Sequence, residues 1–158
     1  MRLEEKIGSR LKATKKTLSV AESCSGGLLA HRLTNVSGSS AYFSGGVVTY
    51  SNQSKIHILK VPDEIIDNLG AVSPQVACSM AENVRKLFKA DYGIGITGIA
   101  GPTGGTKEKP IGLVYMAIAS PHHGIKDYKC HFSGNRQEIK DQAVDAVLHY
   151  LWDLLEKG

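Results

Sequence analysis

A serine hydroxyl beside a lysine amine can make an alkoxide nucleophile, and this chain offers that pair in one stretch. Ser39 and Ser40 sit in a small-residue turn, Gly38-Ser39-Ser40-Ala41-Tyr42-Phe43-Ser44-Gly45-Gly46. A short β-branched and aromatic run, Val47 to Tyr50, reads as a strand, and the polar turn Ser51-Asn52 then starts an amphipathic segment with Lys55 in its first turn. Strand pairing can bring the Lys55 amine back beside Ser39 or Ser40. The plainer reading of the same residues is turn chemistry, for which serine and glycine clusters are commonly used.

Two further stretches carry polar chemistry. Thr17 to Ala21 reads as a strand, Glu22-Ser23-Cys24-Ser25-Gly26-Gly27 as a tight loop, and Leu28, Leu29, Arg32 and Leu33 resume helical spacing. Amides and hydroxyls at such a strand-to-helix turn suit an anion or an oxyanion. Cys24 there can be a nucleophile, although a small buried filler is the commoner role of a free cysteine. Tyr92 to Thr97 reads as a strand feeding a glycine-rich loop from Gly98 to Thr106 that can cradle a phosphate. Arg136, at the entrance of the last helix, is an exposed cation that would also suit a phosphate.

Gly93-Ile94-Gly95-Ile96-Thr97-Gly98 formally matches the dinucleotide fingerprint G-x-G-x-x-G. We reject that reading. The fingerprint needs its glycines at the turn into a helix and an acidic residue about 20 positions later. Here the glycines lie inside the strand, and positions 113–118 are Leu-Val-Tyr-Met-Ala-Ile. A flat central strand explains them better.

The elements needed to hold these groups follow from periodicity. Leu3, Ile7 and Leu11 predict an amphipathic first helix closed by Lys15-Lys16. Ile56, Ile58, Leu59 and Val61 predict a short helix stopped by Pro62, and Asp63 to Leu69 another ended by Gly70. Ser73-Pro74 starts a helix with Val76, Met80, Val84 and Leu87 as its buried stripe. Ile111 to Ala119 reads as a strand buried on both faces, Pro121 to Gly124 as a turn, and Tyr128 to Phe132 as the returning strand. The last helix keeps Ile139, Ala143, Val147, Tyr150, Leu151 and Leu154 in register. Strands alternating with helices predict one α/β domain over residues 1–158, a three-layer α/β/α sandwich around a mixed β-sheet.

Composition narrows the function classes. Hydrophobic content of 42% with 22% charged residues is that of a globular chain. Residues 1–16 hold six basic groups (Arg2, Lys6, Arg10, Lys12, Lys15, Lys16) and two acidic ones (Glu4, Glu5), which accounts for the whole net charge of +4. A nucleic-acid footprint would be a basic face across the domain, so the basic first helix reads as a solvated face and argues against a nucleic-acid partner. Cys24, Cys78 and Cys130 are scattered and odd in number, which argues against a disulfide framework and a zinc site. No apolar h-region opens the chain and no apolar run approaches the roughly 20 residues of a membrane helix. The expectation is a cytoplasmic protein with no membrane partner.

Taken together, Ala21-Glu22-Ser23-Cys24-Ser25-Gly26-Gly27, Gly38 to Lys55, and Gly98-Ile99-Ala100-Gly101-Pro102 with Lys109-Pro110-Ile111-Gly112 carry a family resemblance. In order, and over nearly the whole chain, they resemble the C-terminal domain of the competence/damage-inducible protein CinA, a family also known as nicotinamide mononucleotide amidohydrolases. Ser25 stands where the family often has Thr, and the larger N-terminal domain of full-length relatives lies outside the resemblance. The resemblance implies hydrolysis of the carboxamide of nicotinamide mononucleotide to nicotinic acid mononucleotide and ammonia, by a serine–lysine pair with tyrosine assistance. Carried onto this sequence, those are Ser40, Lys55 and Tyr50, with Ser39 and Ser23 as rival nucleophiles. Ser23, Gly45, Gly46, Thr97, Gly98, Gly101 and Arg136 are the expected substrate contacts. No cofactor and no metal are expected, the partner is a small mononucleotide, and a homo-oligomer stays open.

The chemistry is compatible with those residues. An amide needs both an activated nucleophile and a proton for its leaving nitrogen, and Lys55 can supply both if burial lowers its pKa from ~10.4 toward neutrality. Two other readings remain: a non-catalytic nucleotide- or phosphate-binding module using the same loops, and a nucleic-acid accessory domain working through the first helix.

Overall fold

The structure is a computed structural model that describes residues 1–158. Its elements are α1 (Leu3–Thr14), β1 (Leu18–Glu22), α2 (Leu28–Thr34), a 3₁₀ turn (Ser39–Ala41), β2 (Phe43–Val48), α3 (Asn52–His57), α4 (Asp63–Leu69), α5 (Pro74–Leu87), β3 (Tyr92–Gly98), β4 (Leu113–Ser120), β5 (Gly124–His131) and α6 (Arg136–Lys157). The strands form one mixed sheet in the order β2-β1-β3-β4-β5. β2, β1 and β3 are parallel, and β4 and β5 are antiparallel to their neighbours. Helices cover both faces, as alternating strands and helices predict.

Local chemistry explains the helix ends. Ser73 caps α5 by accepting from the Val76 amide, with Pro74 in the first turn. Asn135 and Glu138 close a reciprocal box at the start of α6. Lys15 ends α1 in the left-handed conformation, its amide bonding back to Leu11 and Lys12 carbonyls. Three strand expectations shift. β4 runs from Leu113 to Ser120, so Ile111 and Gly112 precede it. β2 begins at Phe43 and ends at Val48, so Thr49 and Tyr50 lie beyond it. β5 begins at Gly124, because the turn after Ser120 is tight enough to pair Ser120 with Gly124 directly.

The two faces of the sheet are built differently, and this explains the glycines of β3. Leu18, Val20, Ile94, Ile96, Val114, Met116 and Ile118 point to one side and form a large core with α1, α2 and α6. On the other side Ala117 and Ala119 meet Ala77 and Ala81 of α5. A Cβ at Gly95 would stand 2.5 Å from the Ala77 carbonyl oxygen, and one at Gly93 would stand 2.7 Å from the Arg85 Cβ. The period-2 glycines therefore let α5 lie against the sheet. They serve packing, which is why the dinucleotide reading fails.

Candidate functional site

Parallel strands β2, β1 and β3 end side by side, and each carries a hydroxyl residue there: Thr49 follows β2, Ser23 follows β1, and Thr97 is the last residue but one of β3. The Thr49 amide donates to the Glu22 carbonyl at 2.8 Å, which keeps β1 and β2 together to this edge. Val48 pairs with Glu22 and Glu22 with Ile96, so the residues one step on share a face. In an open sheet of this kind, the crevice outside the carboxyl ends of the strands is where ligands bind.

Lys55 enters that crevice from α3. Ser51 caps the helix by accepting from the Ser54 amide at 3.0 Å, and this aims Lys55 inward. Its side chain is 1% exposed. Nζ lies 2.9 Å from Ser23 Oγ, 2.8 Å from the Thr49 carbonyl oxygen and 3.2 Å from the Tyr50 carbonyl oxygen. It has no carboxylate partner within ion-pair distance. Burial lowers its pKa, because an ammonium loses hydration there that two carbonyl dipoles only partly replace. Nζ donates in all three contacts; in the neutral amine two N–H groups would serve the carbonyls and leave the lone pair open to the Ser23 hydroxyl proton.

This geometry corrects the expected pairing. Ser40 lies in the exposed 3₁₀ turn that precedes β2, whereas Lys55 comes after it. The Leu18 amide bonds the Tyr42 carbonyl, so the turn sits at the beginning of β1, the opposite edge of the sheet. The length of β2, roughly 17 Å at about 3.3 Å per residue, separates the two. β2 is a parallel edge strand that continues into α3; it makes no hairpin, and only a hairpin could return Lys55 to Ser39 or Ser40. The serine that meets Lys55 is Ser23.

Gly45 and Gly46 are also displaced from the site, since they lie within β2 and face neighbours. A Cβ at Gly45 would come within 2.5 Å of the Phe88 ring, and one at Gly46 within 2.7 Å of Val20 Cγ2. Tyr50 contributes through its backbone. Its ring is 59% exposed, and its hydroxyl accepts from Arg136 Nη2 at 2.7 Å, so the phenol stands at the rim and its hydroxyl makes no hydrogen bond to Ser23 or Lys55.

The remaining expected residues do converge. A cleft of ≈ 310 Å³ is lined by Ser23, Lys55, Tyr50, Thr97, Arg136 and the loop around Gly98 to Gly104, together with Asn52, Ala71 and Val72. Thr97 Oγ1 donates to the Ala71 carbonyl at 2.8 Å, which fixes the segment before α5 against the sheet end. Arg136 Nη1 donates to the Gly101 carbonyl at 2.6 Å, so the guanidinium ties the glycine loop to Tyr50 across the mouth. Gly101 has φ +77°, and a Cβ there would meet Ile111 Cγ2 at 2.6 Å. The amides of Ala100, Gly101, Thr103 and Gly104 make no hydrogen bond within the chain. No group of three or more His, Cys, Asp or Glu side chains is placed to hold a metal ion.

Two neighbours of Ser23 define its surroundings. Glu22 is 1% exposed, and its carboxylate accepts from the amides of Gly27 (3.2 Å), Leu29 (3.0 Å) and Ala30 (3.0 Å). The anion at the start of α2 is therefore the chain's own, and that helix end is closed to a ligand. Sequence reasoning missed this cap because the acceptor sits before the loop, not at the usual cap position. Cys24 lines the cleft but is buried, and burial pushes its thiol up to about 12. It is a neutral thiol at physiological pH and a poor nucleophile.

The signal that would have ranked Ser23 above its rivals Ser40 and Ser39 is topological: it is the first residue after a central parallel strand. The rest of the chain agrees with known proteins of the same pattern. The family model of the CinA C-terminal domain matches residues 1–155. A competence-damage inducible protein of Moorella thermoacetica is 52% identical over 95% of this chain and 36% of its own length. A CinA-like protein of Koribacter versatilis is 55% identical over 87% of this chain and 33% of its own. The chain thus spans about a third of the curated relatives it matches. Among solved structures, a CinA superfamily protein of Klebsiella pneumoniae superposes with a TM-score of 0.94 at 32% identity, covering 99% of this chain and 97% of that one. The competence/damage inducible protein CihA of Agrobacterium tumefaciens gives 0.90 at 36%, covering 98% and 96%. This chain belongs to the CinA C-terminal domain family.

Proposed function

We propose that this chain is a metal-independent amidohydrolase that deamidates nicotinamide mononucleotide through Ser23 and Lys55. The observation that carries the reading is the buried 2.9 Å approach of Lys55 Nζ to Ser23 Oγ, with two carbonyls holding the amine. Lys55 takes the Ser23 hydroxyl proton as Oγ attacks the carboxamide carbon. The resulting ammonium returns that proton to the leaving nitrogen, and ammonia departs from the ester formed on Ser23. A water then attacks the ester, giving its proton through the same amine to Ser23 Oγ and releasing the carboxylate. A solvated lysine would stay charged and could not start this cycle, so the burial that lowers its pKa is part of the chemistry. Loop amides near Gly101 offer donors for a mononucleotide phosphate, and Arg136 at the mouth offers a charge-assisted pair.

The testing experiment is ammonia release from nicotinamide mononucleotide by the wild-type chain and by Ser23→Ala and Ser40→Ala. Turnover in wild type, lost in Ser23→Ala and kept in Ser40→Ala, is the expected result. No turnover in wild type, with saturable nucleotide binding, would leave a binding module in place of an enzyme. Loss in Ser40→Ala alone would return the nucleophile to the amino-end turn.

A further inference from the structure

The two edges of the sheet are finished differently. β5 carries Lys126, Asp127 and Lys129 exposed along it, and charge on an edge strand discourages pairing with another chain. β2 has no such guard: no Asp, Glu, Lys, Arg or Pro stands between Asn35 and Lys55, in a chain of 22% charged residues. Depletion of charge on an exposed surface marks the core of a protein–protein contact. The backbone of β2 is also open. The Thr49 amide points to β1, where it meets the Glu22 carbonyl, and successive residues of a strand point their N–H and C=O groups to opposite sides. Gly45 and Val47 therefore face β1, while Gly46 and Val48 present their backbone groups outward, as does Ser44, which the register with β1 passes over. All three outward residues are exposed. The register shift lies at the start of the strand and leaves Gly45 to Val48 regular.

We propose that β2 pairs antiparallel with β2 of a second copy of this chain, about a twofold axis at Gly46, and that the second copy's Gly38–Tyr42 turn walls the mouth of the Ser23–Lys55 cleft. The edge is complementary to itself. A twofold axis at Gly46 sets Gly46 opposite itself and Ser44 opposite Val48, so the outward groups of all three residues are used, in about six hydrogen bonds. Their side chains are small and uncharged, so they meet across the pair without repulsion. Two five-stranded sheets become one. The antiparallel run carries the turn that precedes β2 in one copy to the place where β2 ends in the other. Continued outward, the pairing sets Ser40 of the second copy opposite Asn52, which lines the cleft beside the exposed Tyr50. The turn that lies far from Lys55 within one chain thus reaches the cleft of its neighbour, as a wall and not as a member of the Ser23–Lys55 pair. The inference rests on the strand and holds whatever substrate the cleft takes.

Sedimentation equilibrium tests the pairing by mass, a readout that needs no turnover and so separates a failed interface from a failed amidohydrolase. Wild type should weigh twice the 17.0 kDa of one chain. The double variant Ser44→Lys/Val48→Lys sets like charges opposite each other at both symmetric pairs and should weaken the dimer at least about tenfold. Ser44→Lys/Val48→Glu sets opposite charges there and should keep the dimer within a few-fold of wild type. Both positions are exposed, so both variants should fold, which circular dichroism checks. A wild-type monomer at roughly 100 µM would overturn the pairing, and so would two double variants that dimerise alike. For the turn, Ser40→Cys/Asn52→Cys is treated with a short bis-maleimide. The length of β2 parts the two positions within one chain, so a covalent dimer above the background of wild type and of each single variant is the expected result. No such dimer, in a protein that sediments as one, would remove the turn from the cleft.

Discussion

Both edges of the sheet present serine, glycine and lysine, and at only one of them do a serine and a lysine meet. At the amino edge, Ser39 and Ser40 stand beside Gly38, over which the exposed Lys12 extends. At the carboxyl edge, Ser23 stands before Gly26-Gly27 and meets Lys55. Residue types are nearly the same; burial is not. Lys55 is enclosed by α3, the strand ends and the glycine loop, so its ammonium is disfavoured and its amine can act as a base. Lys12 is exposed on α1. On the proposed reading, a serine and a lysine become a dyad through the desolvation that surrounds them, and sequence proximity does not supply that.

The sharpest way to break this comparison is to remove each serine in turn. Ser23→Ala should cost at least about a thousandfold in kcat for nicotinamide mononucleotide, whereas Ser40→Ala should stay within a few-fold of wild type. Circular dichroism should report both variants folded. Equal losses in the two would erase the distinction between the edges.

Next in size is the base itself. Lys55→Arg keeps a positive charge that cannot be given up, so kcat should fall by roughly 10²–10⁴ while nucleotide affinity changes little. Near-normal turnover in Lys55→Arg would leave the lysine only an electrostatic role. Wild-type turnover should rise with pH along an apparent pKa below the ordinary value near 10.5, since the neutral amine is the active form.

At the rim the effects are smaller. Arg136→Ala loses the charge-assisted pair at the mouth and the tie between Tyr50 and Gly101. It should raise KM by roughly 10–100-fold with a lesser change in kcat. Tyr50→Phe, which removes one acceptor for Arg136, should stay within several-fold, measured as KM over the same substrate range.

The smallest expected effect is on stability. The folded pKa of Lys55 is lowered, so between that value and about 10.5 the unfolded chain binds more protons than the folded one. Stability from this group therefore rises with pH across that window, and below it the full cost of burying the ammonium remains. Urea unfolding of wild type and Lys55→Met should show the variant's relative advantage shrinking as pH climbs toward 10.5. A constant difference across that range would mean that burial leaves the Lys55 proton where water does.

Much of the architecture was legible because it rests on local rules. The stripe Leu3, Ile7, Leu11 gave α1; Ser73-Pro74 gave the start of α5; and the apolar run Ile111 to Ala119 gave a strand buried on both faces, which begins at Leu113. Thr97, the glycine loop and Arg136 were legible as cleft residues for the same reason, since a polar loop after a central strand opens at the sheet's edge. The partner of Lys55 was not, because it depends on whether β2 folds back or runs on. That choice is made by pairing with β1 along Leu18–Glu22, a contact between distant segments. Gly45 and Gly46 misled for a related reason: nothing nearby in sequence announces that Phe88 and Val20 will need the space.

By itself, then, the sequence determined which segments are helices and strands, that they alternate into a layered α/β domain, and which residue types can carry acyl-transfer chemistry. Those properties follow from side-chain periodicity, capping and glycine or proline backbone preferences, all acting over a few residues. Only the tertiary structure decided that Ser23 and not Ser40 faces Lys55, that Glu22 closes the start of α2, and that Tyr50 stands at the rim. Each of these depends on parallel strand order and on burial, and burial is set by segments that meet only when the sheet is assembled.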